Sequence, residues 1–349
     1  MRAVVYEAFG GPLEVRDVPD PAVPEDGAVI RVEATGLCRS DWHGWQGHDP
    51  GITAFPHVPG HELAGVVAET GARVTRWRAG DRVTVPFACA CGRCASCAAG
   101  DQQVCENQAQ PGFDHWGSFA EHVAVRNADL NLIGLPDDMA FTAAAGLGCR
   151  FATAYRAVLA QGRAAPGEWV AVHGCGGVGL SAVMIAVAAG ARVVAVDISA
   201  GALDLARGLG AAAVVDASAL GASGPAAAVR EITGGGAHVS LDALGAPATA
   251  RASVECLRRR GRHVQVGLLP AAAGRADLPM DRVIALELEI LGSHGMAAHA
   301  YEPMLEQVRA GTLRPGALVH RIIGLDEAPA ALAAMDAPGP AGVTMIVPR

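Results

Sequence analysis

Between residues 169 and 197 the chain reads strand, glycine turn, helix, strand, acid, and that order leaves few folds open. Trp169 to His173 is a short apolar strand, Gly174-Cys175-Gly176-Gly177-Val178-Gly179 follows, Leu180 to Ala189 is an apolar helix, and Arg192 to Val196 is a second strand ending in Asp197. Strands joined through a helix run parallel. Glycines at 174, 176 and 179 permit a tight turn, close approach of a pyrophosphate to the backbone, and packing of helix on strand. Asp197 lies eighteen residues past Gly179, where a carboxylate can accept both hydroxyls of an adenosine ribose. The unit is a dinucleotide site, with Gly174, Gly176, Gly177, Val178, Gly179 and Asp197 as its contacts.

The alternation continues. Ala213 to Asp216, Val239 to Ala243, Arg262 to Gly267 and Glu287 to Leu291 read as strands, and Ala202 to Leu209, Ala226 to Thr233 and Ala248 to Arg259 as helices. That count suits a doubly wound, six-stranded parallel sheet with helices on both faces. Arg258-Arg259-Arg260 reads as a solvated helix end. An Ala-rich stretch spans 217–228. Past Gly295, Tyr301 to Arg309 reads as a helix and Gly342 to Val347 as a strand able to return to the first domain. A length of 349 residues, 51% hydrophobic and 18% charged, fits two globular domains.

The first of these is β-rich. Val-rich runs at Ala28 to Ala34, Leu63 to Glu69 and Asp81 to Val85 sit between Gly and Pro turns. Cys38-Arg39-Ser40-Asp41-Trp42-His43 follows one strand and brings together a thiol, a cation, a hydroxyl, a carboxylate and an imidazole. Thiolate and imidazole bind zinc, a carboxylate can orient a ligating His, and a hydroxyl and imidazole can move a proton. His61-Glu62 opens the next strand. Cys91, Cys94, Cys97 and Cys105, spaced C-x2-C-x2-C-x7-C, form a closed zinc site with no position left for water. Cys89 lies outside that pattern. Thr142 to Ala157 reads as a helix, and Cys149 within it, taken alone, reads as core.

Several classes are excluded. A net charge of -8 and a sequence pI of 5.8 are wrong for tracking a nucleic-acid backbone. All 27 basic residues are arginine, so no lysine exists for Schiff-base chemistry. Nine cysteines, four in one short run, suit a reducing cytoplasm better than a secreted disulfide scaffold. Met1 to Tyr6 reads as a strand rather than a signal peptide. The most apolar segment, Val178 to Ala191, is shorter than a bilayer span and broken by glycine, so no membrane segment is expected.

Taken together, GLCRSDWH at 36–43, GHELAG at 60–65, the four-cysteine lobe at 91–105, LGCRFATAY at 147–155 and GCGGVG with Asp197 resemble the zinc-dependent medium-chain alcohol dehydrogenase family over essentially the whole chain. The resemblance implies a GroES-like β-barrel catalytic domain over residues 1–152 and 296–349 and a Rossmann NAD-binding domain over 153–295. It implies two zinc ions per subunit. Cys38, His61 and Cys149 would be the catalytic ligands, and Cys91, Cys94, Cys97 and Cys105 the structural ones. Asp41 would orient His61, Glu62 would be a nearby carboxylate able to approach the zinc during ligand exchange, Arg39 would contact the coenzyme pyrophosphate, and Ser40 and His43 would relay the proton with the nicotinamide ribose hydroxyls bridging between them. The implied reaction is hydride transfer between a primary or secondary alcohol and NAD, or the reverse on an aldehyde or ketone.

Alternatives within the family are an NADPH-dependent aldehyde reductase, opposed by the charge of Asp197, and a polyol dehydrogenase, opposed by Cys149 standing where that branch has Glu. A zinc-stabilised binding protein without activity is opposed by the complete set of ligands and relay residues. Two departures from the family pattern concern the coenzyme: Ala202 stands where many relatives have Lys, and Val343 follows Gly342 where a Gly-Arg pair is common. Both point to loose NAD binding. Phe87 is expected in the substrate pocket, and Trp45, His115 and Trp116 are candidates for it, each with an ordinary packing role as the alternative. No insertion like that of the longer dimeric relatives is present, which favours a tetramer over a dimer.

Overall fold

The computed structural model describes residues 1–349 apart from 222, 223, 270–273, 275, 338 and 340. Two of the masked positions fall in the Ala-rich stretch 217–228, and that part of the reading lies outside the described residues; from Gly224 the stretch is helix.

Six strands form one sheet in the spatial order Ala213–Asp216, Arg192–Asp197, Trp169–His173, Ala237–Asp242, Leu257–Gln265, Glu289–Gly292. All five pairings are parallel. Helices cover both faces, so inner strands must be apolar throughout; Val170, Ala171, Val172, Val193, Val194 and Ala195 are all fully buried. The chain leaves Trp169–His173 toward one side and later returns to its other side at Ala237–Asp242. That reversal opens a crevice at the carboxyl end of Trp169–His173, where the glycine turn begins. The Gly177–Ala188 helix is apolar nearly all round because it lies between this sheet and the helical turn Ala152–Tyr155.

The other large sheet carries the strands Val319–Gly324, Val343–Val347, Ala28–Gly36, Leu63–Thr70, Arg82–Thr84 and Ile133–Gly134, with His122–Val125 also paired to Ala28–Gly36. The last strand of the chain returns as the sequence suggests: Met345 and Ile346 pair antiparallel with Gly36 and Thr35. This closes the β-rich domain just ahead of Cys38.

Two local readings differ from the structure. The helix expected over Ala248 to Arg259 ends at Glu255, and Leu257 opens a strand that pairs with Ala237. Arg258 and Arg260 therefore reach from the start of this strand to His238 and Glu287, at 2.6 Å each, instead of capping a helix. Arginine's high helix propensity is overridden by parallel pairing of a buried Leu. The run expected as one helix over Thr142 to Ala157 is helical to Gln161, but Leu147–Phe151 and Arg156–Gln161 are π-helical turns. Among the described residues no helix is long and apolar enough to cross a membrane.

Candidate metal and coenzyme site

Cys38 ends the turn after Ala28–Gly36 and stands immediately before the helix Arg39–Trp45. In the first turn of that helix Asp41 folds back, its Oδ2 accepting the Cys38 N–H at 3.1 Å. Its Oδ1 accepts the Gly60 N–H at 3.1 Å and bonds His61 Nδ1 at 2.8 Å. One buried carboxylate thus joins the segment carrying Cys38 to the segment carrying His61. It fixes the His61 tautomer, with the proton on Nδ1 and the Nε2 lone pair pointing away from Asp41. Burial opposes a charge on His61, but the Asp41 carboxylate and then the Cys38 sulfur hold the metal-free imidazole well above its ordinary range, so that a metal at Nε2 would displace a proton from it.

The π turn at Leu147–Phe151 supplies the third ligand. The Phe87 N–H bonds the Gly148 carbonyl at 2.9 Å, and a Cβ on Gly148 would fall 2.5 Å from the Val85 carbonyl oxygen. Only glycine allows that approach, and it carries Cys149 against the His61-Glu62 pair. Donor atoms of Cys38, His61, Glu62 and Cys149 then all lie within 4.8 Å of one another. The Cys38 thiol, hydrogen-bonded to Cys149, is held well below its usual range, and Cys149, facing that sulfur, well above it. A metal between them would take the place of that sulfur–sulfur contact. His61 Nε2 is buried without a hydrogen-bond partner among the described residues. A soft donor set around an orphaned imidazole nitrogen is what a tetrahedral zinc ion with one open position requires.

Cys91, Cys94, Cys97 and Cys105 form a second cluster with sulfurs within 4.8 Å of one another, and all nine cysteines are free thiols. Backbone N–H groups of Cys91 and Asn107 reach Cys105 Sγ at 3.3 Å each. The Arg93 backbone N–H leads the interactions that pull Cys91 down to about 6. This set satisfies a closed zinc site. Cys97→Ser is expected to cost about 3 kcal/mol or more of stability, with loss of one metal equivalent. Unchanged melting and metal content in that variant would remove the cluster from the metal sites.

At the coenzyme crevice, Gly174 has φ +88°, and a Cβ on Gly179 would fall 1.7 Å from the Gly174 carbonyl oxygen. Gly176 differs: it is exposed, and nothing lies within 4 Å of where its Cβ would be. That open space beside a helix start fits a diphosphate. Gly177 and Val178 are half-buried in the first turn of the helix. Asp197 Oδ2 accepts the Cys175 N–H at 2.5 Å and Oδ1 the Ser199 N–H at 2.8 Å, so the acid is held at the strand end.

Ser40 and His43, three residues apart on one helix, share a face. His43 Nδ1 lies 3.0 Å from Nδ1 of exposed His48. Arg39 is exposed, its guanidinium 4.5 Å from the Trp42 ring and donating to the Met335 carbonyl. Ala202 is 5% exposed within the core, so Ala202→Lys would force a lysine stem into packed side chains. Restoring the family's lysine there is expected to destabilise the fold rather than tighten coenzyme binding.

Phe87 does reach the metal ligands, its ring edge-on to His61 at 6.2 Å. Phe113 and His294 were not among the sequence candidates. Phe113 lies closer to His61, at 5.4 Å, and His294 covers Phe87 at 5.0 Å from the segment after the last parallel strand. Trp45, His115 and Trp116 instead bond the carbonyls of Gly11, Ala124 and Pro56 at 2.9, 3.1 and 2.8 Å. These are packing contacts.

Two family models match the chain: the alcohol dehydrogenase GroES-like domain over residues 24–137 and the zinc-binding dehydrogenase domain over residues 177–310. An alcohol dehydrogenase of Rhizobium meliloti (strain 1021) is 38% identical over 297 residues, 84% of each chain. One from Geobacillus stearothermophilus is 40% identical over 195 residues, an alignment spanning 56% of this chain and 57% of that one. The solved alcohol dehydrogenase of the hyperthermophilic archaeon Aeropyrum pernix superposes with a TM-score of 0.90 at 31% identity, with 100% of both chains covered.

Proposed function

The chain belongs to the zinc-type medium-chain alcohol dehydrogenase family, and from that premise we propose that it oxidises a primary or secondary alcohol with NAD, and in reverse reduces the aldehyde or ketone. The observation that carries the reading is the convergence of Cys38 and Cys149 on His61, whose Nε2 has no hydrogen-bond partner among the described residues. When bound there, zinc supplies Lewis acidity that makes an alcohol hydroxyl acidic near neutrality, and the nicotinamide supplies the hydride acceptor.

The chain's own residues do the rest. Asp41 keeps the His61 lone pair directed at the cluster. Phe87 and Phe113 wall the site with apolar surface and exclude water, which favours aryl or alkyl alcohols over polyols, whose hydroxyls need polar partners. Ser40 takes the hydroxyl proton and His43 passes it outward. Asp197 receives the adenosine ribose and repels a 2′-phosphate, which supports NAD over NADP. We place two zinc ions in each subunit and expect a homotetramer, which sedimentation would distinguish from a dimer. Nine cysteines with no disulfide among the described residues, six of them assigned to zinc, support a reducing cytoplasm as its compartment.

A panel of benzylic, linear and polyol alcohols with either coenzyme tests the reading, and a zinc-loaded protein that reduces NAD with none of them would sink it. The relay carries its own test. Burial first, then the charges of Arg39 and His48, lower the His43 pKa, so its imidazole stays neutral and able to accept a proton further into acid than an ordinary histidine. His43→Gln is expected to slow oxidation by about 10²-fold or less at neutral pH, since water can substitute for a solvent-facing relay member. The loss should shrink as pH rises and hydroxide takes over. A pH-rate profile unchanged from wild type would remove His43 from the mechanism.

A further inference from the structure

Resting on the reading of Cys38, His61 and Cys149 as metal ligands, we propose that Arg150 is a positioning residue that clamps Glu62 off the metal and so keeps the fourth coordination position for substrate. A carboxylate oxygen of Glu62 lies within the same 4.8 Å cluster as the three ligand atoms. Zinc accepts such an oxygen readily, and a fourth protein ligand would close the site.

Arg150 holds that carboxylate on one side. Its backbone N–H and Nε donate to Glu62 Oε1 at 3.1 and 2.8 Å, and its Nη2 pairs with Oε2. The same Nη2 donates to the Leu37 carbonyl at 3.0 Å. The chain neighbours of all three ligands therefore meet at one guanidinium: Leu37 precedes Cys38, Glu62 follows His61, and Arg150 follows Cys149. Two glycines make room for it. A Cβ on Gly36 would fall 2.1 Å from Glu62 Oε2, and one on Gly177 would fall 2.9 Å from Arg150 Cδ. On its second flank the guanidinium thus abuts the first turn of the dinucleotide helix.

Stability alone is a poor reason for this pair. Glu62 is fully buried and Arg150 is 5% exposed, and a buried ion pair of this kind is often matched or bettered by apolar side chains. What an apolar pair could not do is restrain a carboxylate beside an open metal. Glu62 Oε2 has no aligned hydrogen bond among the described residues, so once the ion pair is removed it is the oxygen able to turn inward.

The test substitutes cobalt(II) for zinc in the full-length protein and reads the visible absorption, which reports coordination independently of turnover. Arg150→Gln is expected to shift the cobalt spectrum to that of a site with a fourth protein ligand, and to lower kcat by about 10- to 100-fold. The double variant Glu62→Gln with Arg150→Gln should return the spectrum to that of wild type. A wild-type spectrum in folded Arg150→Gln overturns the proposal, as does a double variant that keeps the altered spectrum of the single one. Should Arg150→Gln not fold, Arg150→Lys replaces the fork with a point donor and is expected to give an intermediate spectrum; a wild-type spectrum there is equally fatal. A wild-type protein that takes up no cobalt at Cys38, His61 and Cys149 would instead overturn the metal-site reading on which the proposal stands.

Discussion

Cys149→Ser is expected to abolish turnover, by about 10³-fold or more, in a protein that stays folded and keeps the zinc of its four-cysteine lobe. The size follows from the several kcal/mol that a Lewis-acid metal contributes to such a transition state, at about 1.4 kcal/mol per factor of ten. A serine hydroxyl is a poor replacement for a thiolate ligand, and Cys38 and His61 alone leave the ion weakly held. The fold should survive because Cys149 lies in a helical run whose neighbours Leu147, Phe151 and Ala152 remain packed. Metal analysis should fall from two zinc ions per subunit to one. Two retained ions with normal turnover would remove Cys149 from the ligand set, and a single ion in fully active wild type would show the four-cysteine assignment to be wrong.

The other large effect is on coenzyme choice. Asp197→Gly is expected to weaken NAD by about 10- to 100-fold, through loss of charge-assisted hydrogen bonds to the ribose, and to admit NADP. The structure adds a reason for the gain. Asp197 presently occupies the N–H groups of Cys175 and Ser199, and without the carboxylate both are freed as donors to an anion. The combined swing in preference should be about 10²- to 10³-fold. Titration of both proteins with both coenzymes decides it: a wild type that prefers NADP, or a variant with unaltered preference, would place the ribose site elsewhere.

The amino-acid sequence by itself determined the parallel sheet, the glycine crevice and the four-cysteine lobe, whereas Cys38, His61 and Cys149 were joined as one set only by the family resemblance. The sheet, the crevice and the lobe each depend on local periodicity or on donor chemistry at short spacing. Strand edges were legible to within a few residues because burial on both faces demands unbroken apolar runs, as in Trp169–His173 and Arg192–Asp197. Tertiary structure alone decided the rest. Helix propensity is blind to the π turn that presents Cys149, and an arginine run cannot reveal that Leu257 will be drawn into a strand. Nor could spacing separate Phe113 from Trp45 as a pocket wall, since each is an aromatic residue in a loop-rich region and only packing turns one toward His61. The Arg150 clamp lay furthest from view. Glu62 and Arg150 are 88 residues apart, Leu37 and Arg150 are 113 apart, and His294 meets Gln103 across 191. Contacts at such separations arise where two sheets and a returning strand are brought together, and a one-dimensional pattern carries no record of that closure.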